Sequence, residues 1–339
     1  MHVATMLNGG YIGRTRTDMA NVLFIKTSSL GDVIHHMPAI AEARRRRPQA
    51  RFAWVVEEAF APLVKLHPAV DEVIPVASRR WRRAPLAAST WRELRAFVRH
   101  VRTQSHDDII DTQGLLRTAL IARLARGRRH GYDHRSIRER LASPFYDTRH
   151  QVSRDWHAIA RNRALTGQAL GYAPAGDIDF GLDRASLSGA VVERYAVLLH
   201  ATARHTKEWP EANWIALGRT LAARGIELRL PWGDDGERQR AERIAAGIPG
   251  ARVLDRQPLD VLARRIAGAQ YVIGVDTGLL HLAAALGVPL VGIFVGSEPG
   301  LTGPMGRGPI AIVGGKGATP APNAVLHALD GLDAELAPR

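Results

Sequence analysis

The chain has no cysteine among its 339 residues. That absence removes disulfides, thiol nucleophiles and cysteine-ligated zinc together, so any chemistry must come from carboxylates, lysine, histidine or a bound ligand. Long hydrophobic runs are missing too: no stretch approaches the roughly eighteen apolar residues that a membrane span requires. The opening MHVATMLNGGYIGRTRTDMA lacks the apolar run of a signal peptide. The expectation is a cytoplasmic protein that does not cross a membrane. Fixed-period repeats, heptads and low-complexity tracts are absent as well, which excludes solenoids and coiled coils.

Acidic residues are in deficit, with 33 Asp+Glu against 46 Lys+Arg and a net charge of +13. The imbalance is uneven: residues 20–183 hold 27 basic and 17 acidic residues, residues 184–339 hold 17 and 15. A basic first half can meet nucleic acid, an anionic membrane surface or a multiply charged substrate, or serve solubility alone, and charge does not choose among these. With 46% hydrophobic and 23% charged residues the composition is that of a globular protein. Its length exceeds one ordinary core, which predicts two domains.

Residues 1–19 show no periodicity and read as a flexible N-terminal extension. From Asn21, the strand-like runs VLFIK (22–26), RFAWVV (51–56), EVIPV (72–76) and DDIID (107–111) alternate with helical patterns over 31–47, 91–105, 115–125 and 153–170. The pattern weakens over 172–190, a Gly, Ala, Ser and Asp-rich linker. It restarts with YAVLLH (195–200), IELRL (226–230), RVL (252–254), YVIGVD (271–276) and PLVGIF (289–294), with helices between them, and ends in NAVLHALDGL (323–332). Such alternation builds parallel sheets through right-handed crossovers. The predicted fold class is α/β: two doubly wound, Rossmann-like domains over 20–180 and 190–320 facing a cleft, with 321–339 as a closing helix. In such sheets ligands lie beyond the carboxyl ends of the strands, so function belongs in the loops after each strand.

The first strand runs into KTSSLGDVIHHMPAI, placing Lys26, Thr27, Ser28, Ser29, Gly31 and Asp32 where backbone N–H groups are free. It is not a GxGxxG fingerprint, which disfavours a simple dinucleotide-binding domain. Asp32 can cap the helix, act as a general base in a cleft, or do both. In YAVLLHATARHTKEWP, Lys207 and Arg204 can neutralise a phosphate-bearing leaving group and Thr202 can donate a hydrogen bond, although a loop lysine is commonly just solvated. In YVIGVDTGLLHLAAALGVP, Asp276, Thr277 and Gly278 precede a helix whose first turn carries His281. Small residues and free N–H groups there suit a diphosphate, and a plain capped helix is the alternative.

Trp232 and Gly233 follow a strand, with Glu237 four residues on. They can stack a nucleobase and hold ribose hydroxyls, or simply pack. SRRWRRAP (78–85) reads as a loop that sets Arg79, Arg80, Arg82 and Arg83 around Trp81 to grasp an anionic acceptor, with a nucleic-acid patch or a solvated charge run as alternatives. There is no Walker A loop, HExxH or nucleophile elbow. The fourteen histidines show no metal-ligand spacing beyond His35 and His36, which point apart on a helix. A metal-free mechanism without a cofactor is expected.

Eight blocks, VLFIKTSSLGDVIHHMPA, FAWVVEEAF, VIPVASRRWRR, DDIIDTQGLLRTAL, HGYDHRSIRERLASPFY, HATARHTKEWPEANW, LPWGDDGE and VDTGLLHLAAALG, run in order over nearly all of residues 20–300. Together they resemble the bacterial ADP-heptose:lipopolysaccharide heptosyltransferases of glycosyltransferase family 9, particularly those that add the first heptose. The resemblance implies a GT-B fold and an inverting, metal-independent transfer of L-glycero-D-manno-heptose from ADP-heptose to the inner Kdo of Kdo2-lipid A, at the cytoplasmic face of the inner membrane.

By position, Asp32 resembles the family's base and Lys207 the lysine that offsets charge on the departing diphosphate. Thr202, Thr277, Gly278, Leu279 and His281 match phosphate-binding positions, Glu237 a ribose contact and Asp276 a donor-sugar contact; Trp232 joins them on the donor side. Ser28, Ser29, Gly31, Arg79, Arg80 and Arg82 fall to the acceptor. Ala203 departs from the family, which often has two hydroxyl residues here. The partners implied are ADP-heptose, Kdo2-lipid A and an anionic membrane surface, with no nucleic acid. A transferase adding a later heptose and a GT-B nucleotide-sugar 2-epimerase are the rival readings.

Overall fold

The computed structural model describes residues 20–189, 193–202 and 204–336. The N-terminal extension read over 1–19 and the departure at Ala203 lie outside the described residues. The first unit runs β1 (Asn21–Ile25), α1 (Leu30–Ile34), α2 (Met37–Arg46), β2 (Arg51–Glu57), α3 (Ala61–Val64), β3 (Glu72–Val76), α4 (Ser78–Arg83), α5 (Ala88–Thr103), β4 (Ser105–Asp111), α6 (Leu116–Leu124), β5 (Arg126–Tyr132), β6 (Thr148–His150) and α7 (Ala158–Leu170). After α8 (Arg184–Ser188), the second unit runs β7 (Glu193–Leu199), α9 (Glu211–Ala223), β8 (Glu227–Leu230), α10 (Asp235–Ala246), β9 (Arg252–Val253), α11 (Leu259–Ala267), β10 (Ala269–Val275), α12 (Gly278–Ala285), β11 (Leu290–Phe294), β12 (Ile310–Gly314) and α13 (Pro322–Leu336).

Every strand pairing is parallel, and the sheet orders are β3-β2-β1-β4-β5-β6 and β12-β11-β10-β7-β8-β9. Numbered within its own half, the second sheet repeats the order of the first. Each order reverses direction between two central strands, β1 and β4 in one sheet, β7 and β10 in the other. That reversal opens a crevice at the strand ends, because the crossovers on either side leave in opposite directions.

The central strands are apolar on both faces: four of the five residues of β1 are buried, as parallel strands covered by helices require. One continuous core spans both units, joining Val33 and Ile34 of α1 to Leu280, Leu282 and Ala283 of α12. The opposite face of the first sheet is covered more thinly by α5 and α6, through Phe97, Val101 and Ala122. Trp209, Trp214 and Leu217 fill the outer face of the second sheet. The closing helix α13 packs on α9, β11 and β12.

Several boundaries differ from the sequence reading. The single helix expected over 31–47 is two, with His35 capping the end of α1 and His36 the start of α2. The arginine run at 78–85 is not a loop, since Ser78–Arg83 forms α4. The helix expected from 153 starts at Ala158, where the His157 ring accepts the Ile159 N–H. The linker contains α8, held by Asp183, which accepts two first-turn N–H groups. Strands β5, β6 and β12 escape the apolar pattern for physical reasons: β5 begins with three exposed residues, β6 has only three residues, and β12 is a half-exposed edge strand.

Candidate active site

The loop after β1 is shaped by the loop after β4. Asp111 Oδ1 accepts the N–H groups of Gln113 (2.8 Å) and Gly114 (3.2 Å), and the Tyr146 hydroxyl donates to its other oxygen at 2.8 Å. So fixed, Gln113 Oε1 accepts the N–H groups of Thr27 (3.1 Å) and Ser28 (3.2 Å). Two donors that no strand pairs are thereby satisfied, as buried backbone requires. Lys26 is buried and donates to Thr112 O at 3.0 Å. Burial pulls its pKa below the ordinary lysine value, with Asp32 and Asp111 opposing in part.

Asp32 stands at the third position of α1. Its Oδ2 accepts both the N–H (2.8 Å) and the hydroxyl (3.0 Å) of Ser29, the residue before the helix. That reach back to the cap satisfies one of the helix's orphan donors and places negative charge at the positive end of the dipole. Oδ1 has no protein donor among the described residues. Asp32 lines a cavity of ≈ 710 Å³ with Ser28, Ser29, Arg82, Arg117 and Arg138. Arg117 donates to Ser28 Oγ at 2.6 Å. Glu139 also lines the cavity and accepts the Leu116 N–H at 2.7 Å; three guanidinium-bearing residues against two carboxylates leave it suited to an anionic molecule with a hydroxyl to lose a proton.

In the second unit, Asp276 follows β10. Its Oδ2 accepts Lys207 Nζ at 2.5 Å and Ser297 Oγ at 2.7 Å; its backbone carbonyl accepts Thr202 Oγ1 at 2.9 Å. Burial works to raise the Asp276 pKa, but the hydrogen bonds from Lys207 and Ser297 outweigh it and hold the carboxyl below the usual range. Thr277 caps α12 without a side-chain bond to the helix, so the first N–H groups of that helix keep their capacity for an anion. His281, one turn in, has Nε2 4.0 Å from Asp276 Oδ1. Burial lowers its pKa to about 4, against the pull of Asp276, so it is uncharged at neutral pH.

The two loops meet. A methyl at Gly278 would lie 2.7 Å from Leu30 Cβ, and one at Gly31 would lie 3.0 Å from His281 Cδ2. Glycine at both positions lets α1 and α12 touch, which is the close approach the missing side chain permits. Across the same contact His35 Nε2 and His281 Nδ1 are 3.2 Å apart, and Asn162 Nδ2 donates to the His35 carbonyl at 2.9 Å.

The structure thus brings Ser28, Ser29, Asp32 and Arg82 together in one cavity, and Thr202, Lys207, Asp276, Thr277, Gly278, Leu279 and His281 around the other loop. Gly31 lies between them as a spacer. Glu237 and Trp232 sit after β8: Glu237 Oε2 accepts Gly233 N at 2.6 Å, and the Trp232 indole donates to Leu254 O at 2.6 Å. Arg204 is exposed.

Arg79 and Arg80 do not line the Asp32 cavity. Arg80 is clamped by Glu58 (3.0 and 2.9 Å) and Glu93 (3.0 Å), which raise its pKa, and Arg79 stacks over Phe60 at 5.2 Å. Arg117, Arg138, Gln113 and Ser297 were not singled out from the sequence. Gln113 and Ser297 follow strand ends, so the same strand-end rule applied to β4 and β11 finds them.

The family model for glycosyltransferase family 9 (heptosyltransferase) matches residues 94–324. The chain is 45% identical to lipopolysaccharide heptosyltransferase 1 of Salmonella typhimurium over 86% of its length and 93% of that protein. It is 47% identical to the Pseudomonas aeruginosa enzyme of the same name, over 84% of this chain and 81% of that one. Among solved structures, the Escherichia coli heptosyltransferase WaaC with ADP superposes with a TM-score of 0.87 at 40% identity, covering 92% of this chain and 99% of that chain. Two parallel sheets with this order, facing strand-end loops and these similarities together establish that the chain belongs to glycosyltransferase family 9, the heptosyltransferases, and has the GT-B fold.

Proposed function

We propose that the protein is a lipopolysaccharide heptosyltransferase I, which transfers L-glycero-D-manno-heptose from ADP-heptose to the inner Kdo of Kdo2-lipid A. The observation that carries this reading is the contact of α1 with α12, which sets the Asp32 carboxylate across the domain boundary from the N–H-rich start of α12 and the Lys207–Asp276 pair. Two of the relatives named above are lipopolysaccharide heptosyltransferases 1, and WaaC has been solved with ADP and with ADP-2-deoxy-2-fluoro heptose.

In the reaction, the acceptor hydroxyl oxygen attacks the anomeric carbon from the face opposite the diphosphate. The new C–O bond forms, the bond to the diphosphate breaks with inversion, and ADP leaves with the electron pair. Asp32 takes the hydroxyl proton, on the oxygen that Ser29 leaves free. Lys207, with two N–H donors beyond its bond to Asp276, and the α12 terminus with His281 stabilise the negative charge that develops on ADP. Lys207 and the partial positive charge of the α12 terminus act where a metal would otherwise serve, with His281 as a neutral neighbour, and on this reading the transfer runs without metal or cofactor.

Asp276, positioned by Lys207 and Ser297, contacts the donor sugar; Glu237 and Trp232 contact the nucleoside. Arg82, Arg117 and Arg138 hold the acidic groups of the acceptor, and the enzyme works peripherally on the cytoplasmic face of the inner membrane. Purified protein mixed with ADP-heptose and Kdo2-lipid A should release ADP in step with heptose incorporation. No release with this acceptor would overturn the assignment, and release only with an acceptor already bearing heptose would move the enzyme to a later step.

A further inference from the structure

A second cavity, of ≈ 750 Å³, lies outside the reaction site along α5, lined by Trp91, Leu94, Arg95, Arg99, Arg102 and, from the start of β5, Arg126. Trp91, Arg95, Arg99 and Arg102 recur at helical spacing and so share one stripe of α5. The charge there is one-sided. Residues 78–103 carry eight arginines and one acidic residue, Glu93, and residues 112–132 carry five arginines and no acidic residue. Glu93 is turned to the other side, accepting from Arg80 and from the Trp81 indole at 2.9 Å. Among the described residues, Arg95, Arg99, Arg102 and Arg126 make no ion pair.

Apolar side chains stand out from the same region. Leu86, in the connection between α4 and α5, is 93% exposed, Trp91 is 51% exposed and Leu120 of α6 is 49% exposed. Leu120 and Arg82 also line the Asp32 cavity, and Trp81, beside Arg82, ties α4 to α5 through Glu93. The arginine stripe thus lies on the helix that packs against α4 and α6, both of which line the acceptor cavity.

We propose that this α4–α5–α6 face docks the enzyme on an anionic phospholipid surface, with Arg95, Arg99, Arg102 and Arg126 against lipid phosphates and Leu86 and Trp91 among the upper acyl carbons. This rests on the lipid-linked acceptor proposed above and names the surface that presents the enzyme to it. A wholly exposed leucine and a half-exposed tryptophan interleaved with unpaired arginines suit an interface that is anionic outside and apolar just beneath. A nucleic-acid backbone would satisfy the arginines and leave Leu86 with nothing to bury it.

The test is co-sedimentation of the full chain with phosphatidylcholine vesicles, with and without phosphatidylglycerol, at low and high salt. The wild type should bind only the phosphatidylglycerol vesicles and release them as salt rises. Arg95→Glu, Arg99→Glu and Arg102→Glu combined should weaken binding about 10²-fold or more, while lysine at the same three positions retains it. Turnover on de-acylated, soluble acceptor should be unchanged, which also shows that the variant is folded. Equal vesicle binding by wild type and the glutamate variant would overturn the proposal. So would binding to a duplex oligonucleotide that is tighter than binding to vesicles and is lost in that variant. Vesicle binding is read without any acceptor, so failure of the assigned reaction and failure of this surface are separate results.

Discussion

Asp32 has two oxygens with different work, one tied to Ser29 and one free, and substitution separates them. Asp32→Asn keeps a carbonyl oxygen for the Ser29 donors but cannot take a proton. It should hold ADP affinity near wild type while turnover falls by about 10² or more, and normal turnover would remove Asp32 from the chemistry. Lys207 is tested by Lys207→Met: loss of a charge that acts on the departing diphosphate should lower kcat by roughly 10²–10³, as removal of a preorganised donor does. An effect confined to the donor KM would make Lys207 a ground-state binder instead.

The arginines divide in the same way. Arg82 lines the cavity, so Arg82→Ala should raise the acceptor KM and leave the donor KM alone. Arg80 is held by Glu58 and Glu93, and Arg80→Ala should do less to either constant. The opposite order would return the acceptor grip to Arg80.

At the scale of elements, α1 and α12 are set by two glycines. Gly278→Ala places a methyl within 2.7 Å of Leu30, closer than packed atoms sit, so the helices must separate. The expected cost is about 1–3 kcal/mol in stability, read by urea denaturation, with turnover falling further than ADP binding. A variant as stable and active as wild type would show that the contact is slack. Helices and central strands with strong apolar periods were legible in the sequence, and so was the strand-end rule that led to Asp32, Lys207 and Asp276.

What the sequence hid were features without a local period. Arg80 and Arg82 are two residues apart in one run, yet carboxylates from the turn after β2 and from α5 separate their roles, and only the packed structure brings Glu58 and Glu93 to Arg80. The break between His35 and His36 was equally hidden, because 31–47 has a continuous helical composition. The His35 N–H still closes the α-helical ladder on Gly31 O at 2.8 Å, whereas the His36 N–H turns to Val33 O, and the His35 ring meets His281, 246 residues away.

For the molecule as a whole, buried histidines set the response to acid. Burial brings His67 and His200 down to about 4 each, against about 6.5 in an unfolded chain. Between those values the unfolded chain binds protons that the folded one refuses, so their contribution is complete above about pH 6.5 and is lost as pH falls toward 4. At about pH 5 each removes on the order of 2 kcal/mol. Urea midpoints measured near neutrality and near pH 5 should drop accordingly, and equal midpoints would contradict it. The reaction should also be indifferent to metal: a chelator such as EDTA should leave turnover unchanged, whereas loss restored by a divalent ion would refute the metal-free scheme.

The glycine contact bears on how such an enzyme can load and unload. The two units touch through Gly31 and Gly278, beside the reacting groups, and again where α3 meets α11 and His157 meets Gly303, so a swing that widens the outer rim of the cleft would pivot along that line of contacts. Near a fulcrum displacements are small. Nucleotide exchange at the mouth can then proceed by rotation while the spacing between proton acceptor and departing phosphate stays almost constant from one turnover to the next.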